Sequence, residues 1–378
     1  MQFFRSISFL LLLVSFTSQA QVSTMEQQLQ SIIDSGKAVG FSVAVVKKNK
    51  LIYTHSFGYK NKETSTPLSN VDIFRIASIS KSFSATSILQ LVEAGKLKLS
   101  DDVSELVGFN VRNPRYPDKV ITLEHLLSHR SSINDRQGYF TLDAINPAKN
   151  PNADSCYNDY APGEGYQYCN LNFNMIGTII EKYSGERFDQ YVKHHILDPL
   201  DLYGGYCVDS LDASRFATIY EYRNDTLGYI AAPAAYAPRS EEIRNYTMGY
   251  STPIFSPTGG MKISAVDLAR YMRMHMNYGK ANRHRIISKK SSRLMQTPLS
   301  EKSGYGLALH VTSTLIPGKT LVGHTGSAYG LYSAMFFDPK EKYGIVVISN
   351  GCHPAYTAGF NSVIRKAFEL LYNYKIAN

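Results

Sequence analysis

The strand-like runs of this chain lie at its two ends and hardly anywhere between, and that limits the fold more than any other feature. Gly40 to Val46 (GFSVAVV) and Leu51 to Tyr59 (LIYTHSFGY) are rich in β-branched and aromatic residues. Lys47 to Lys50 between them is turn-like, which predicts a hairpin. Near the other end, Gly304 to Val311, Lys319 to Gly323, Gly330 to Phe337 and Gly344 to Asn350 read as four more strands. Met25 to Ser35 and Ala358 to Tyr374 have the periodicity of flanking helices. From about Ser78 to about Tyr250 the pattern is helix and loop. Strands at both ends must meet to bury their apolar faces. The expected fold is therefore α/β: an antiparallel sheet built from both termini and flanked by helices, with an all-α subdomain inserted. The α/β part takes residues 21–77 and 255–378, the helical part residues 78–254. A cleft is expected at their junction, where sites tend to form.

The N-terminus has a different character. Arg5 precedes a short apolar run, Phe9 to Phe16, and Ser18-Gln19-Ala20 supplies small residues before Gln21. Residues 1–20 read as a secretory signal peptide cut after Ala20. The run is shorter than the roughly 20 residues that span a bilayer. The expected location is secreted and periplasmic, with no stable membrane insertion after cleavage. The net charge of +9 is spread along the chain, densest at Arg283, His284, Arg285, Lys289 and Lys290. A solvated surface explains it, and no nucleic-acid partner is expected. Cys156, Cys169, Cys207 and Cys352 allow three disulfide connectivities or free thiols, and the sequence does not choose. No HExxH occurs, His194 and His195 are adjacent and would point apart on a helix, and neither metal nor cofactor is expected.

Three short constellations carry possible chemistry. In FRIASISKSFSA, Phe74 to Ala85, Ser78 stands three residues before Lys81. Positions 78, 81, 85, 88 and 92 share one helical face, apolar beyond its first turn, so both side chains point inward. Desolvation lowers a lysine pKa, and a lysine so lowered can take a proton from a hydroxyl one turn away. The alternative is Ser78 as a helix cap. In PGEGYQYCN, Pro162 to Asn170, Tyr168 and Asn170 sit two apart, and in extended chain they point the same way. In TLVGHTGSAYG, His324-Thr325-Gly326 falls at a strand end, with Ser327 next. Gly326 permits close backbone approach, and the Ser327 N–H could join that of Ser78 as an oxyanion donor.

In this order, S-x-x-K, Y-x-N and a basic residue before Thr-Gly, the motifs resemble the serine β-lactamase and penicillin-recognising superfamily. The detail is closest to its class C β-lactamase, DD-peptidase and esterase branch. LEHLLSHRSSI, Leu123 to Ile133, and TGGMKISAVDLAR, Thr258 to Arg270, are similar to further segments of that branch. The resemblance spans nearly the whole chain after residue 20. It implies a β-lactamase/transpeptidase-like fold and an acyl-enzyme on Ser78. Lys81 and Tyr168 would share proton transfer, with Asn170, His324, Thr325, Gly326 and Ser327 binding substrate. The implied substrate is a small molecule or a peptidoglycan-like peptide. Two departures stand out. His324 replaces the lysine of the third motif, and Arg130-Ser131-Ser132 replaces Thr-Ser-Gly. The first favours a DD-peptidase, D-amino-acid peptidase or esterase. A true class C-like β-lactamase and a penicillin-binding protein that does not turn over are the alternatives.

Overall fold

The computed structural model describes residues 24–281, 283–300 and 303–377, so the signal-peptide reading of residues 1–20 lies outside it. The principal sheet draws on both ends of the chain. We number its strands β1 (Ala38–Lys47), β2 (Lys50–Asn61), β3 (Thr66–Pro67), β4 (His310–Thr312), β5 (Leu321–Ala328), β6 (Leu331–Asp338) and β7 (Tyr343–Cys352). They lie in the order β4-β5-β6-β7-β1-β2-β3, every neighbour antiparallel. The N-terminal hairpin docks on β7 in the middle of the sheet, with Val43 opposite Val347. Its turn residues Lys48 and Asn49 both have positive φ, 51° and 64°. A two-residue hairpin turn needs this to match the strand twist.

The central strands are apolar on both faces, and the pleat sorts them. Val43, Val45, Ile345 and Val347 pack with helix α1 (residues 24–34) and helix α5 (Ser362–Leu371). Ala44, Val46, Val346 and Ile348 face the larger core, which holds helix α4 (Ala265–Met276) and the helical middle. Two further helices matter to the site: α2 (Ser80–Glu93) and α3 (Asn170–Ser184), which pack on each other. Among the described residues no helix is long and apolar enough to cross a membrane.

Several details depart from expectation. The run Gly304 to Val311 is mostly turn, and only His310–Thr312 is strand. The strand expected to stop at Gly323 continues to Ala328, so His324-Thr325-Gly326 lies inside β5, not at its end. Helix α2 was expected to bury one face; it is buried almost all round. Its hydroxyl groups tolerate this because they bond within the core: Ser82 Oγ to Ile79 O, Thr86 Oγ1 to Ser82 O, Ser84 Oγ to Pro257 O. All four cysteines are buried free thiols. His194 and His195, on a widened helical turn, both reach the Glu186 carboxylate, at 3.1 and 2.7 Å. No group of three or more metal-ligating side chains occurs among the described residues.

Candidate active site

A cavity of about 580 Å³ opens where the edge of β5 meets the helical part. Ser78, Tyr168, Asn170, His324, Thr325 and Ser327 all line it. Lys81 lies fully buried behind Ser78. Gly326 faces away from the cavity. A Cβ there would come within 2.2 Å of Ile76 O and 2.4 Å of Ser333 Oγ, so glycine lets β5 lie directly on the segment that carries Ser78.

Ser78 sits in a single tight turn, Ala77–Ile79, that leads into α2. It caps nothing: the α2 cap position is Ile79, and no side chain fills that role. Ala77 just before it has φ of 47°, an uncommon conformation for a residue with a Cβ. This corner turns the Ser78 hydroxyl toward Lys81 Nζ, 3.1 Å away. Lys81 Nζ has two further partners, Asn170 Oδ1 at 2.9 Å and the Thr258 carbonyl at 3.0 Å. Burial lowers its pKa from its ordinary 10.5 to about 7, opposed by the Asp135 carboxylate. Those two oxygens can only accept. A neutral amine therefore spends both its N–H bonds on them and aims its lone pair at Ser78.

Asn170 is the first residue of α3, not part of an extended stretch as expected, and Cys169 holds the β-like cap position. What fixes the Asn170 amide is a residue sequence reasoning missed. Asp135 accepts from Asn170 N and Nδ2, both at 2.9 Å, and from Leu171 N at 3.0 Å. With Nδ2 held there, Oδ1 must face Lys81 and the Thr258 hydroxyl, 2.8 Å away. Thr258 was noted only as part of a matching segment; it closes the far side of Lys81. The Tyr168 ring lies 4.7 Å from Lys81 Nζ. Its hydroxyl is buried and has, among the described residues, no hydrogen-bond partner of normal geometry. Burial drives its pKa well up, and only the Ser78 hydroxyl favours the phenolate. Tyr168 is therefore a phenol, not a phenolate, near neutral pH. His129 packs beside it at a tilt, ring centroids 4.3 Å apart, and accepts the Cys169 N–H at 3.1 Å.

His324 is neutral. Burial and the nearby Lys81 push its pKa down to about 3. Its Nδ1 faces the Thr325 carbonyl, which can only accept, so Nδ1 carries the proton. Nε2 then accepts from the Tyr305 hydroxyl at 2.9 Å. No positive charge stands at this position, and both ring nitrogens are spent on the protein. Tyr305 was also missed: it lay in a run read as plain strand.

Tyr139 and Phe140, from the loop before α3, wall the cavity. The tyrosines of the segment 220–250 do not. Tyr222 and Tyr229 line a separate cavity with His353, Tyr220 reaches Glu63, and Tyr236 works from behind, accepting the Arg75 N–H at 3.2 Å. Arg75, Ser256, Gly259 and Tyr329 stand in their place.

Known proteins match this chain in sequence and in fold. A family model described as Beta-lactamase matches residues 24–366. Protein flp of Staphylococcus aureus (strain MW2) is 26% identical over 337 residues, covering 86% of this chain and 63% of that protein, so the chain spans under two thirds of its length. The octameric penicillin-binding protein homologue from Pyrococcus abyssi superposes with a TM-score of 0.73 at 27% identity, over 93% of this chain and 77% of that one. EstCE1, a hydrolase with promiscuous acyltransferase activity, gives 0.72 at 21% identity, over 94% and 100%, a likeness of fold alone. With its sheet drawn from both ends of the chain and Ser78, Lys81, Tyr168 and Asn170 gathered in one cleft, the chain belongs to the Beta-lactamase family, whose fold generally carries serine hydrolases.

Proposed function

We propose that the protein is an exported serine hydrolase that forms an acyl-enzyme on Ser78 from an ester or amide. The observation that carries this reading is Lys81 Nζ, held between two carbonyl oxygens and the Ser78 hydroxyl with a pKa near 7. The Ser78 proton passes to Lys81 as Oγ bonds the substrate carbonyl carbon. The π pair moves to the carbonyl oxygen, where the N–H groups of Ser78 and Ser327 receive it. Ser327 suits this task. Beyond Gly323, the outer edge of β5 has no strand partner among the described residues. As the carbonyl re-forms, the C–O or C–N bond breaks, and the leaving group takes the proton from Lys81 through the Tyr168 hydroxyl. Water then attacks the ester carbon, its proton returns through the same pair to Ser78 Oγ, and the free acid departs. Neutral His324 removes the fixed cation that would hold a leaving-group carboxylate, which favours esters and amides whose leaving group carries no carboxylate over β-lactams. Export rests on the N-terminal apolar run and its small-residue cleavage site.

Intact mass over time tests the reading. Wild type and Ser78→Ala are mixed in turn with an aryl ester, a D-amino-acid amide and a penicillin. An adduct that forms and clears with the ester or amide, and that Ser78→Ala lacks, is the expected result. A lasting penicillin adduct would mark a penicillin-binding DD-peptidase, and lasting adducts with all three compounds a protein that does not turn over. Absence of any Ser78 adduct would overturn the reading. Cell fractionation and N-terminal sequencing at Gln21 test export.

A further inference from the structure

The cavity contains a cation that the proposed chemistry does not use. Among the described residues Arg75 is the one charged side chain in its lining. Among the described residues no carboxylate pairs with it. Its Nε donates to Gly259 O at 2.9 Å, Nη1 to Ala235 O at 3.2 Å, and Nη2 contacts Ser256 Oγ at 3.4 Å. A guanidinium has five N–H donors, so two remain, and the charge is solvated by neutral oxygens but not neutralised. The group is also rigid. Phe74–Arg75 is pinned in a short ladder to Lys262 and Ile263, and the Arg75 N–H is held by Tyr236. The Tyr329 ring lies 5.1 Å from the guanidinium carbon, presented by a turn in which Tyr329 and Gly330 both have positive φ.

The placement of Arg75 gives it a direction. Strand β5 rises about 3.3 Å per residue, so His324 to Ala328 covers about 13 Å of the cleft edge. The corner before Ser78 abuts its middle, at Gly326. Tyr168 lies toward the His324 end: their ring centroids are 6.1 Å apart, and Tyr305 closes the same end. In the proposed mechanism, on which this step rests, Tyr168 serves the leaving group. The leaving group therefore occupies the His324 end, which is neutral. The acyl fragment runs the other way, past Tyr139 and Phe140 toward Arg75 and Tyr329.

We propose that Arg75 is the anion anchor of this cleft, and that the preferred acyl donors carry a carboxylate at the far end of the acyl fragment, as monoesters and monoamides of dicarboxylic acids do. The carboxylate takes the two free guanidinium N–H groups, and the aromatic side chains cover the apolar linker. An acyl fragment ending in an ammonium group meets like charge and is disfavoured.

Two 2-naphthyl esters of equal length test this, the hexanoate and the adipate monoester, with kcat/KM read for each. In wild type the adipate monoester is favoured about tenfold or more, the range of a charge-assisted hydrogen-bonded contact. Arg75→Gln brings the ratio close to one, and Arg75→Lys restores part of it. A wild-type ratio at or below one overturns the proposal without any variant, which covers the case in which Arg75→Gln does not fold. A high ratio that survives in Arg75→Gln also overturns it. If neither ester leaves an acyl group on Ser78, the hydrolase reading itself fails, a result distinct from equal use of both.

Discussion

The Asp135 carboxylate accepts both the backbone N–H and the Nδ2 of Asn170 at 2.9 Å, and so decides which atom of that amide Lys81 meets. Asp135 is a positioning residue. In Asp135→Asn the new NH2 opposes two donors, the Asn170 amide loses its anchor, and Oδ1 no longer must face Lys81. Acylation should fall about a hundredfold, the scale of a small misplacement of a reacting group. A merely structural role would leave the pH profile in place. Here it should move: the carboxylate favours the Lys81 ammonium, so its loss lowers the Lys81 pKa and shifts the rising limb to lower pH. Single-turnover acylation across pH reads both effects, and an unmoved limb refutes the electrostatic part.

The wild-type profile follows from the same group. Burial pushes Tyr168, Tyr305 and Cys169 up and His129 and His324 down, leaving Lys81 to titrate near neutrality. Acylation needs the free amine, so its rate should rise with pH through a midpoint near 7 with a slope of one proton. Lys81→Met should remove the limb along with about 10²–10⁴ of the rate, the worth of a general base. Stability carries the matching sign. Between about 7 and 10.5 the unfolded chain binds the proton that folded Lys81 has shed. The contribution of this group to stability therefore increases as pH rises through that window. A flat acylation profile from pH 6 to 8 would contradict the assignment.

Ser78 and Lys81 were legible in the sequence because only three positions separate them, and no distant contact is needed to bring them together. The sheet was legible for a similar reason: its strands carry dense β-branched runs, and their position at both ends leaves few ways to pair them. What stayed hidden depends on contacts between distant segments. Asp135 meets Asn170 from 35 residues away, and Arg75 reaches Gly259 across 184. Single residues of common types carry no period that would mark them. The neutrality of His324 was not legible because it depends on burial and on Lys81, neither of which spacing reports. Gly304 to Val311 looked like a strand, but Gly304 has φ of 66° and turns the chain, so Tyr305 points at His324.

Gly326 should tolerate no side chain. An alanine Cβ would meet Ile76 O at 2.2 Å, and Ser333 Oγ, which donates to that same oxygen at 2.9 Å, is equally in the way. One obstacle is backbone and the other is committed to it, so β5 must move off the Ser78 corner and take Ser327 with it. Gly326→Ala should lose about 1–3 kcal/mol of stability and at least about a hundredfold in acylation. Gly205→Ala, where the nearest atom is 3.7 Å away, is the matched control and should leave acylation unchanged. Equal behaviour of the two variants in denaturant melts and acylation assays would show that the close approach does not matter.

Tyr305 and His324 form the neutral end of the cleft and should be energetically coupled. In Tyr305→Phe the buried Nε2 of His324 loses its donor while Nδ1 stays on the Thr325 carbonyl. An acceptor left unpaired in a buried site costs about 1–3 kcal/mol. Thermal melting should therefore fall by a few degrees for a chain of this size. A double-mutant cycle with His324→Ala separates the bond from the cavity each truncation leaves. The double variant should lose less than the sum of the two single losses, by about 0.5–3 kcal/mol. If the losses simply add, the two rings are only neighbours and the hydrogen bond between them contributes nothing to stability.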